Sequence, residues 1–489
     1  MALPTIPITS GEEYVDSLRG RDLRIFYMGE RVVEPVDHPV IRPSINAVAA
    51  TFDLANDDPD LASAESAIVG GRVNRFLHVT ASADDVVAQN KMQRRLGQLT
   101  GTCFQRCVGM DAINSLHSIT YEIDERHGTP YHDRFLTWLT EAQRLNVVIG
   151  GAMTDVKGDR SKGPSQQQDP DLFVRIVERR DDGIVIRGAK AHQTGCINSH
   201  WILVMPTIRL TEADRDWSVV CAIPVEADGL TYVYGRQSCD TRAIDGDIDA
   251  GNAAYAGQEA LIVLEDVFVP WEHVFMDGEY EFAAELVERF TAYHRRSYVC
   301  KSGVGDVLIG AAALIADYNG VEKASHIRDK LVEMAHLNET IYGGGIGASH
   351  ESFQRPSGTW EPDGLLANVC KHNVTRFPYE IGRLAQDLAG GAVATLPSQA
   401  DFESAEVGEL LGKYFAGRPG VPTEWRVRVL RLIENMTMGR NAVGYLTESL
   451  HGAGSPQAQR IVMARAMNVE AKKDLARRLA GIEEGSTET

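Results

Sequence analysis

Four residues of this 489-residue chain have the types and spacing to hold a soft metal centre. Cys103 and Cys107 are separated by three residues in TGTCFQRCVGM, so on a helix they lie one turn apart and turn both thiolates to one side. His294 and Cys300 follow in AYHRRSYVCKSG, where Tyr298 shares a helix face with His294, and Arg295, Arg296 and Lys301 add positive charge. Three thiolates and one imidazole form a donor set suited to an iron–sulfur cluster or to zinc. Each part alone has a plainer reading. Two cysteines pack in an apolar core as small hydrophobes, and His294 serves as a polar core residue.

Two further segments concentrate small, hydroxyl, acidic and basic groups beside β-rich runs: MTDVKGDRS at 153–161 and AKAHQTGCINSH at 189–200. Such loops either wrap the polar edges of a cofactor or form solvated turns. Near the end, LTESLHGAGSPQAQR sets Glu448 and His451 before a glycine-rich turn, a place for a catalytic carboxylate or for a simple helix cap.

The elements that must position these groups fall into three stretches. From residue 11 to about 143 the apolar residues recur at helical spacing, as Val86, Val87, Met92 and Leu96 do in ADDVVAQNKMQRRLGQL. Between 172 and 270 the pattern changes to LFVRIVERR, a turn at Asp181-Asp182-Gly183, then IVIRGAKAH, HWILVMPT, SVVCAIPV and ALIVLEDVFVP, which predicts a compact antiparallel β domain. After Trp271 the helical period returns over 282–319, 323–342, 365–388, 421–446 and 457–480, enough for a bundle. The expected fold is α+β and multidomain: a mainly helical domain at 1–145, a middle antiparallel β barrel or sandwich at 146–275, and a helical bundle at 276–489. That order is the acyl-CoA dehydrogenase layout. Neither GVGDVLIG at 303–310 nor the glycines of 343–347 fit a nucleotide-binding spacing after a strand, so a Rossmann domain is not expected.

Composition narrows the partners. Hydrophobic residues make up 44% and charged residues 24%, the balance of a globular protein, and only the tail at 485–489 reads as loose. A formal charge of -19 repels nucleic-acid phosphates, and no concentrated basic patch offsets it. An anionic thioester would need a local basic pocket. The opening MALPTIPITSGEEY has no basic stretch leading into an apolar run, and the longest apolar stretch, around 307–316, is far short of the ~20 residues that span a bilayer. The chain therefore reads as cytoplasmic with no membrane partner, and its seven cysteines as candidates for metal or redox roles rather than disulfides.

Taken together, the segments resemble the 4-hydroxybutyryl-CoA dehydratases, within the flavin-containing family that includes 4-hydroxyphenylacetate 3-monooxygenase. The resemblance runs in order through GEEYVDSLRG, DHPVIRPSINAVA, CFQRCVGMDA, AMTDVKGDRS, AKAHQTG, YGRQSCDTR, GQEALIV, YHRRSY, GVGDVLIGAAALIADYNG, LLANVCKHNVTRFPYEI and ESLHGAGSPQAQRI, and covers nearly the whole chain. It implies FAD and a 4Fe-4S cluster on opposite sides of a 4-hydroxyacyl-CoA thioester, in a homotetramer. The implied reaction is dehydration of 4-hydroxybutyryl-CoA to crotonyl-CoA, with vinylacetyl-CoA isomerisation. The thioester acidifies C2 and not C3, so a flavin that accepts an electron from the enolate is needed before the C3 proton can leave. The cluster would act as Lewis acid toward the departing hydroxyl.

By the same resemblance Cys103, Cys107, His294 and Cys300 match the cluster ligands, and His294 matches the C2 base. Tyr298 and Glu448 match groups that handle the hydroxyl or its proton, and Glu259 a further active-site carboxylate. Lys301 would place positive charge near the cluster or thioester, or else belong to a structural ion pair. Met153, Thr154, Asp155, Lys157, Gly158, Asp159 and Arg160, with His192, Gln193 and Thr194, match the flavin-contacting loops. One residue fewer separates His294 from Cys300 than in the dehydratase pattern. On a regular helix this rotates the cysteine by about 100° and moves it by roughly 1.5 Å, which a π-bulge or a loosened helix would absorb. The competing readings are a reduced-flavin aromatic monooxygenase, an isomerase-only paralogue and a catalytically silent flavin-binding scaffold.

Overall fold

The computed structural model describes residues 4–236 and 246–482; most of the YGRQSCDTR block and the 485–489 tail lie outside the described residues. Helices begin where a short polar side chain accepts from the first turn. Ser10 does so for Gly11–Ser17, Ser82 for Ala83–Thr100 and Asp363 for Gly364–Val374. Gly101, at φ 60°, ends Ala83–Thr100 in the left-handed conformation that glycine tolerates. Residues 102–106 are irregular, with Gln105 at φ 67°, and the next helix runs Cys107–His127. Cys103 and Cys107 are therefore not one turn apart on a helix. The first lies in a loop and the second opens a helix, because the Gly101 cap stops the preceding one short of both.

The alternating runs of the middle region form strands in two sheets. One sheet has the order Glu30–Val32, Ile25–Tyr27, Leu230–Tyr234, Glu259–Pro270, Gly183–Thr194, Arg175–Arg180; the other has Val274–Asp277, Val219–Pro224, Trp201–Val204, Ile149–Ala152. The turn at Asp181 and Asp182 joins its two strands as a hairpin, Arg180 opposite Gly183. The sheets are mixed, however, and not purely antiparallel. Ile25–Tyr27 runs parallel to Leu230–Tyr234, and Ile149–Ala152 parallel to Trp201–Val204. In each pair the first strand arrives from the N-terminal region through a long connection, which is the route parallel pairing needs. Both sheets contribute to one apolar core, through Ile186 and Ile262 from the first and Val204 and Ile223 from the second. Among the described residues neither sheet closes into a barrel.

Beyond Trp271 the helices Ala283–Ser297, Cys300–Tyr318, Ser325–His350, Gly364–Val374, Phe377–Ala389 and Thr423–Thr437 follow, with Leu308, Ile315, Met334, Ile381 and Leu430 in the bundle core. Ala283–Ser297 and Cys300–Tyr318 are separate helices. Between them the amides of Tyr298, Val299, Lys301 and Ser302 bond to carbonyls three residues back, so the chain winds more tightly than an α-helix. The shortened His294-to-Cys300 spacing falls on this irregular junction, so the regular-helix rotation does not apply to it. The helix Cys300–Tyr318 crosses Ala83–Thr100 at glycines. A Cβ on Gly303 would strike the Arg94 carbonyl and one on Gly97 the Cys300 carbonyl, so the two backbones touch and carry Cys300 toward the Cys103 loop.

The segment Tyr280–Tyr318 is long and apolar enough, by length and composition, to cross a bilayer, and 67% of its apolar window is buried inside the protein, as a bundle core requires. The last helices, Pro456–Ala466 and Val469–Leu479, instead leave Ile461, Val469, Leu475 and Leu479 exposed.

Candidate active site

Glu448 stands at the start of the short helix Glu448–His451, directly after a π-helical turn at Val443–Thr447, a backbone form concentrated at functional positions. Tyr298 Oη donates to its Oε1 at 2.7 Å and Lys301 Nζ to its Oε2 at 2.5 Å, while Lys301 also donates to the Gly444 carbonyl at 2.7 Å. Gly452 makes room for the phenol, since a Cβ there would strike Tyr298 Oη. Burial opposes the charge on Glu448, yet Lys301 and Lys371 outweigh it and hold the carboxyl below its usual range. Burial likewise opposes the charge on Lys301, and Glu448 with the sulfurs of Cys300 and Cys103 more than offsets it, so that this ammonium titrates above its usual range.

Glu259, at the start of its strand, faces the opposite fate. Burial and then the Glu448 charge push it up to about 8, against the Thr194 hydroxyl, which donates to its Oε1 at 2.6 Å, and the more distant Lys301. Two electrostatically linked side chains are thus a carboxylic acid and a carboxylate at neutral pH, an arrangement able to give a proton and to take one.

His294 lies on the preceding helix with its ring stacked on Phe290 at 5.2 Å and edge-on to Tyr298 at 5.5 Å. Its Nδ1 bonds to the fully buried Asp111 Oδ2 at 2.8 Å, and Ser297 Oγ donates to Asp111 Oδ1 at 2.9 Å. A carboxylate only accepts, so Nδ1 carries the proton and Nε2 is left as the ring's basic nitrogen.

Cys107 and Cys300 pack among Leu96, Phe104 and Met110, and Cys103 lies within the electrostatic reach of both. Cys107 and Cys300 are hydrogen-bonded to each other, and Gln93 Nε2 donates to Cys107 Sγ at 3.3 Å. Burial pushes the Cys103 and Cys107 thiols up. The bond from Cys107, with the Lys301 charge, holds Cys300 down. Cys107 and Cys300 each open a helix, whose positive end favours a thiolate. Among the described residues no three His, Cys, Asp or Glu side chains are grouped to hold a single metal ion. A cubane distributes its ligands over separate iron corners, and three cysteine sulfurs with an imidazole nitrogen are donors of the kind it takes.

The two loops expected at a cofactor lie side by side. Ala191 N donates to the Thr154 carbonyl at 2.9 Å, and Gln193 accepts from Met153 N at 2.9 Å and donates to Thr154 O at 3.0 Å. Asp155 is buried in an ion pair with Lys190 at 2.5 Å, which braces the loops from within. Lys157, Gly158, Asp159 and Arg160 are exposed, and Asp159 turns back to Ser161 at 2.7 Å. His192, at φ 58°, is exposed within the fields of Lys157 and His451, so this loop faces the Glu448 helix. The cations and amides of this edge suit the polar rim and phosphates of a flavin dinucleotide, and Thr194 connects it to Glu259. The structure thus brings Tyr298, Lys301, Glu448 and Glu259 into one network, with Cys103 and Cys300 in the field of Lys301. The loop residues 157–160 stay at the surface.

Two members escaped the sequence reading. Asp111 fixes the tautomer of His294, and the buried Lys371 places its ammonium 3.6 Å from the centre of the Tyr298 ring. Both lie in segments that carry the resemblance, CFQRCVGMDA and LLANVCKHNVTRFPYEI, but neither residue type has a spacing that marks it.

Comparison with known proteins bears on this network. Residues 10–276 match the family described as 4-hydroxyphenylacetate 3-hydroxylase N terminal, and residues 283–481 the corresponding C terminal. The chain belongs to the 4-hydroxyphenylacetate 3-hydroxylase family. Within this family it is 56% identical to 4-hydroxybutyryl-CoA dehydratase/vinylacetyl-CoA-Delta-isomerase of Clostridium aminobutyricum, over 97% of this chain and 100% of that one. The structure of an oxygen-tolerant archaeal 4-hydroxybutyryl-CoA dehydratase from N. maritimus superposes with a TM-score of 0.97 and 68% identity, covering 98% and 96% of the two chains. A 4-hydroxyphenylacetate 3-monooxygenase oxygenase component complexed with FAD shares the fold at a TM-score of 0.84, with 22% identity over 96% and 98%. Among these 3-hydroxylase family members, the chain stands with the dehydratases.

Proposed function

We propose that the protein dehydrates 4-hydroxybutyryl-CoA to crotonyl-CoA and isomerises vinylacetyl-CoA, as a lyase with isomerase activity. The observation that carries this reading is the 56% identity to a dehydratase/isomerase over the full length of that enzyme. FAD would lie along 153–160 and 192–194, and a 4Fe-4S cluster would be held by Cys103, Cys107, Cys300 and His294. When bound, they supply an electron sink for the substrate enolate and a Lewis acid for its hydroxyl.

The chain's own groups account for the proton movements. His294 Nε2, with Nδ1 fixed on Asp111, takes the C2 proton. Since Nδ1 is occupied, ligation and proton abstraction both need Nε2, so the two roles exclude each other in time. Tyr298 and Glu448 form the relay for the leaving hydroxyl, Lys301 keeping Glu448 ionised. Glu259, an acid at neutral pH, stands ready to donate. The three-part division at 145 and 275, and a homotetramer, complete the reading. The apolar residues exposed on the last helices support self-association.

The test is anaerobic purification with flavin, iron and sulfide analysis, followed by incubation with 4-hydroxybutyryl-CoA, with vinylacetyl-CoA, and with a phenol plus reduced flavin. Crotonyl-CoA from both thioesters is the expected result. Turnover of the phenol alone would overturn the reading, and flavin absorbance without iron would remove the cluster.

A further inference from the structure

Lys371 is fully buried on the helix Gly364–Val374, yet among the described residues no carboxylate is paired with it. Both oxygens of Glu448 are taken, by Tyr298 and Lys301. Lys371 Nζ instead donates to the Ser449 carbonyl, one residue beyond Glu448, and lies 3.6 Å from the centre of the Tyr298 ring. Lys301 Nζ stands farther from that ring, at 5.7 Å. The same helix reaches the Glu448 segment a second time. Arg295 donates to Asn368 Oδ1 at 2.6 Å and to the Ala453 carbonyl at 3.0 Å.

A buried ammonium is costly, and its common remedy is a paired carboxylate. Here its partners are a ring face and a carbonyl, both of which fix direction: the cation attracts the ring quadrupole along its normal, and the carbonyl sets the ammonium's height above Glu448. The charged or titratable groups that act on it are Glu448, Lys301, Arg295 and Cys300. Burial lowers Lys371 to about 7, Glu448 acting against that and Lys301 with it, so the ammonium form is only partly populated at neutral pH.

We propose that Lys371 is a positioning residue for the Tyr298–Glu448 pair: its ammonium, stacked on the phenol and bonded to the Ser449 carbonyl, fixes the approach of the phenol hydroxyl to the carboxylate. The inference rests on the reading of Tyr298 and Glu448 as the groups that handle the hydroxyl.

The test uses the holoenzyme carrying Lys371→Met, Lys371→Arg, Tyr298→Phe and the double variant Lys371→Met/Tyr298→Phe, with kcat and KM for 4-hydroxybutyryl-CoA, flavin and iron content, and melting temperature measured for each. Lys371→Met should lower kcat about tenfold or more while KM changes by less than about twofold. Lys371→Arg should restore most of the loss. In the Tyr298→Phe background Lys371→Met should cost nothing further, since the group it orients is gone. Equal losses in both backgrounds, or a loss confined to KM, would overturn the inference while leaving the reading of Tyr298 intact. A Tyr298→Phe enzyme with full kcat would overturn that reading and this inference with it. Should Lys371→Met lose flavin and iron, Lys371→Ala with added methylammonium replaces it: recovery of kcat supports the positioning role and failure to recover refutes it.

Discussion

The two sides of the candidate site are built in opposite ways. Around Glu448, both carboxylate oxygens, the Tyr298 hydroxyl and the ammonium groups of Lys301 and Lys371 find partners within the chain. Around Cys107 and Cys300 the surroundings are apolar, and the polar contacts of the three cysteines include a Gln93 amide, the Gln105 backbone amide, the bond between Cys107 and Cys300 and the field of Lys301. The first side is organised by the protein itself. The second places three sulfurs where two thiols are disfavoured as thiolates by burial, so a bound cation would remove a cost that the chain alone leaves standing. Removing a side chain should therefore have different consequences on the two sides.

The largest effect is expected on the sulfur side. Cys107→Ala should bring iron content near zero and abolish dehydration, with the melting temperature of the iron-free protein little changed, since the lost thiol makes one weak hydrogen bond to Cys300 and accepts another from Gln93. Iron and sulfide assays beside calorimetry check this, and full iron retention would break the comparison at once. On the carboxylate side Glu448→Gln should retain iron and flavin and lower kcat about 10²–10⁴-fold. Loss of iron in this variant would mean that the two sides are one structural unit.

Asp111 bridges the sides, and a smaller effect is expected there. Asp111→Asn keeps the shape but no longer demands a proton on His294 Nδ1, so the population with a basic Nε2 falls. A loss of about 10–100-fold in iron affinity or activity is expected. Retention of both would mean that the ring is held by Phe290 and Tyr298 alone.

The difference between the sides also bears on what a sequence can disclose. Cysteine, histidine and the Tyr298–Lys301 motif are rare enough in type and spacing to be picked out, and the long helices and alternating strands carry their periods openly. Asp111 sits on a buried helix face and Lys371 beside the buried Cys370, where periodicity predicts apolar residues. Only packing against Ala283–Ser297 and Glu448–His451 gives them partners. The strands Ile25–Tyr27 and Ile149–Ala152 are too short to show alternation, the second holding two glycines, so the sequence carries no sign of their parallel pairing. Nothing in HRRSYVCKS, without glycine or proline, marks the break between Ser297 and Cys300; it follows from contacts such as Gly303 against Arg94. The loops at 153–161 and 189–194 stand out as neighbours of strands, but the burial of Asp155 against Lys190 depends on the sheet closing over them.

The smallest effect separates the two carboxyl groups by pH. Glu259 titrates at about 8 in the folded protein, chiefly through burial and then through the Glu448 charge, against an ordinary value of 4.5. The native state therefore holds this proton where the unfolded chain has released it, and stability falls as pH rises from about 4.5 to about 8. Above that window the penalty is constant, and below it there is none. Glu259→Gln keeps an oxygen for the Thr194 hydroxyl and carries no charge. The variant should match the parent at pH 4 and exceed it by about 1–3 kcal/mol at pH 9, the side chain being partly exposed. Denaturation midpoints at the two pH values check this, and parallel pH profiles for parent and variant would refute it. Adding Glu448→Gln to both proteins removes the neighbouring charge, so the pH-dependent gap that Glu259→Gln opens should narrow. If it does not, burial alone raises Glu259, and the acid and the carboxylate are independent sites rather than a linked pair.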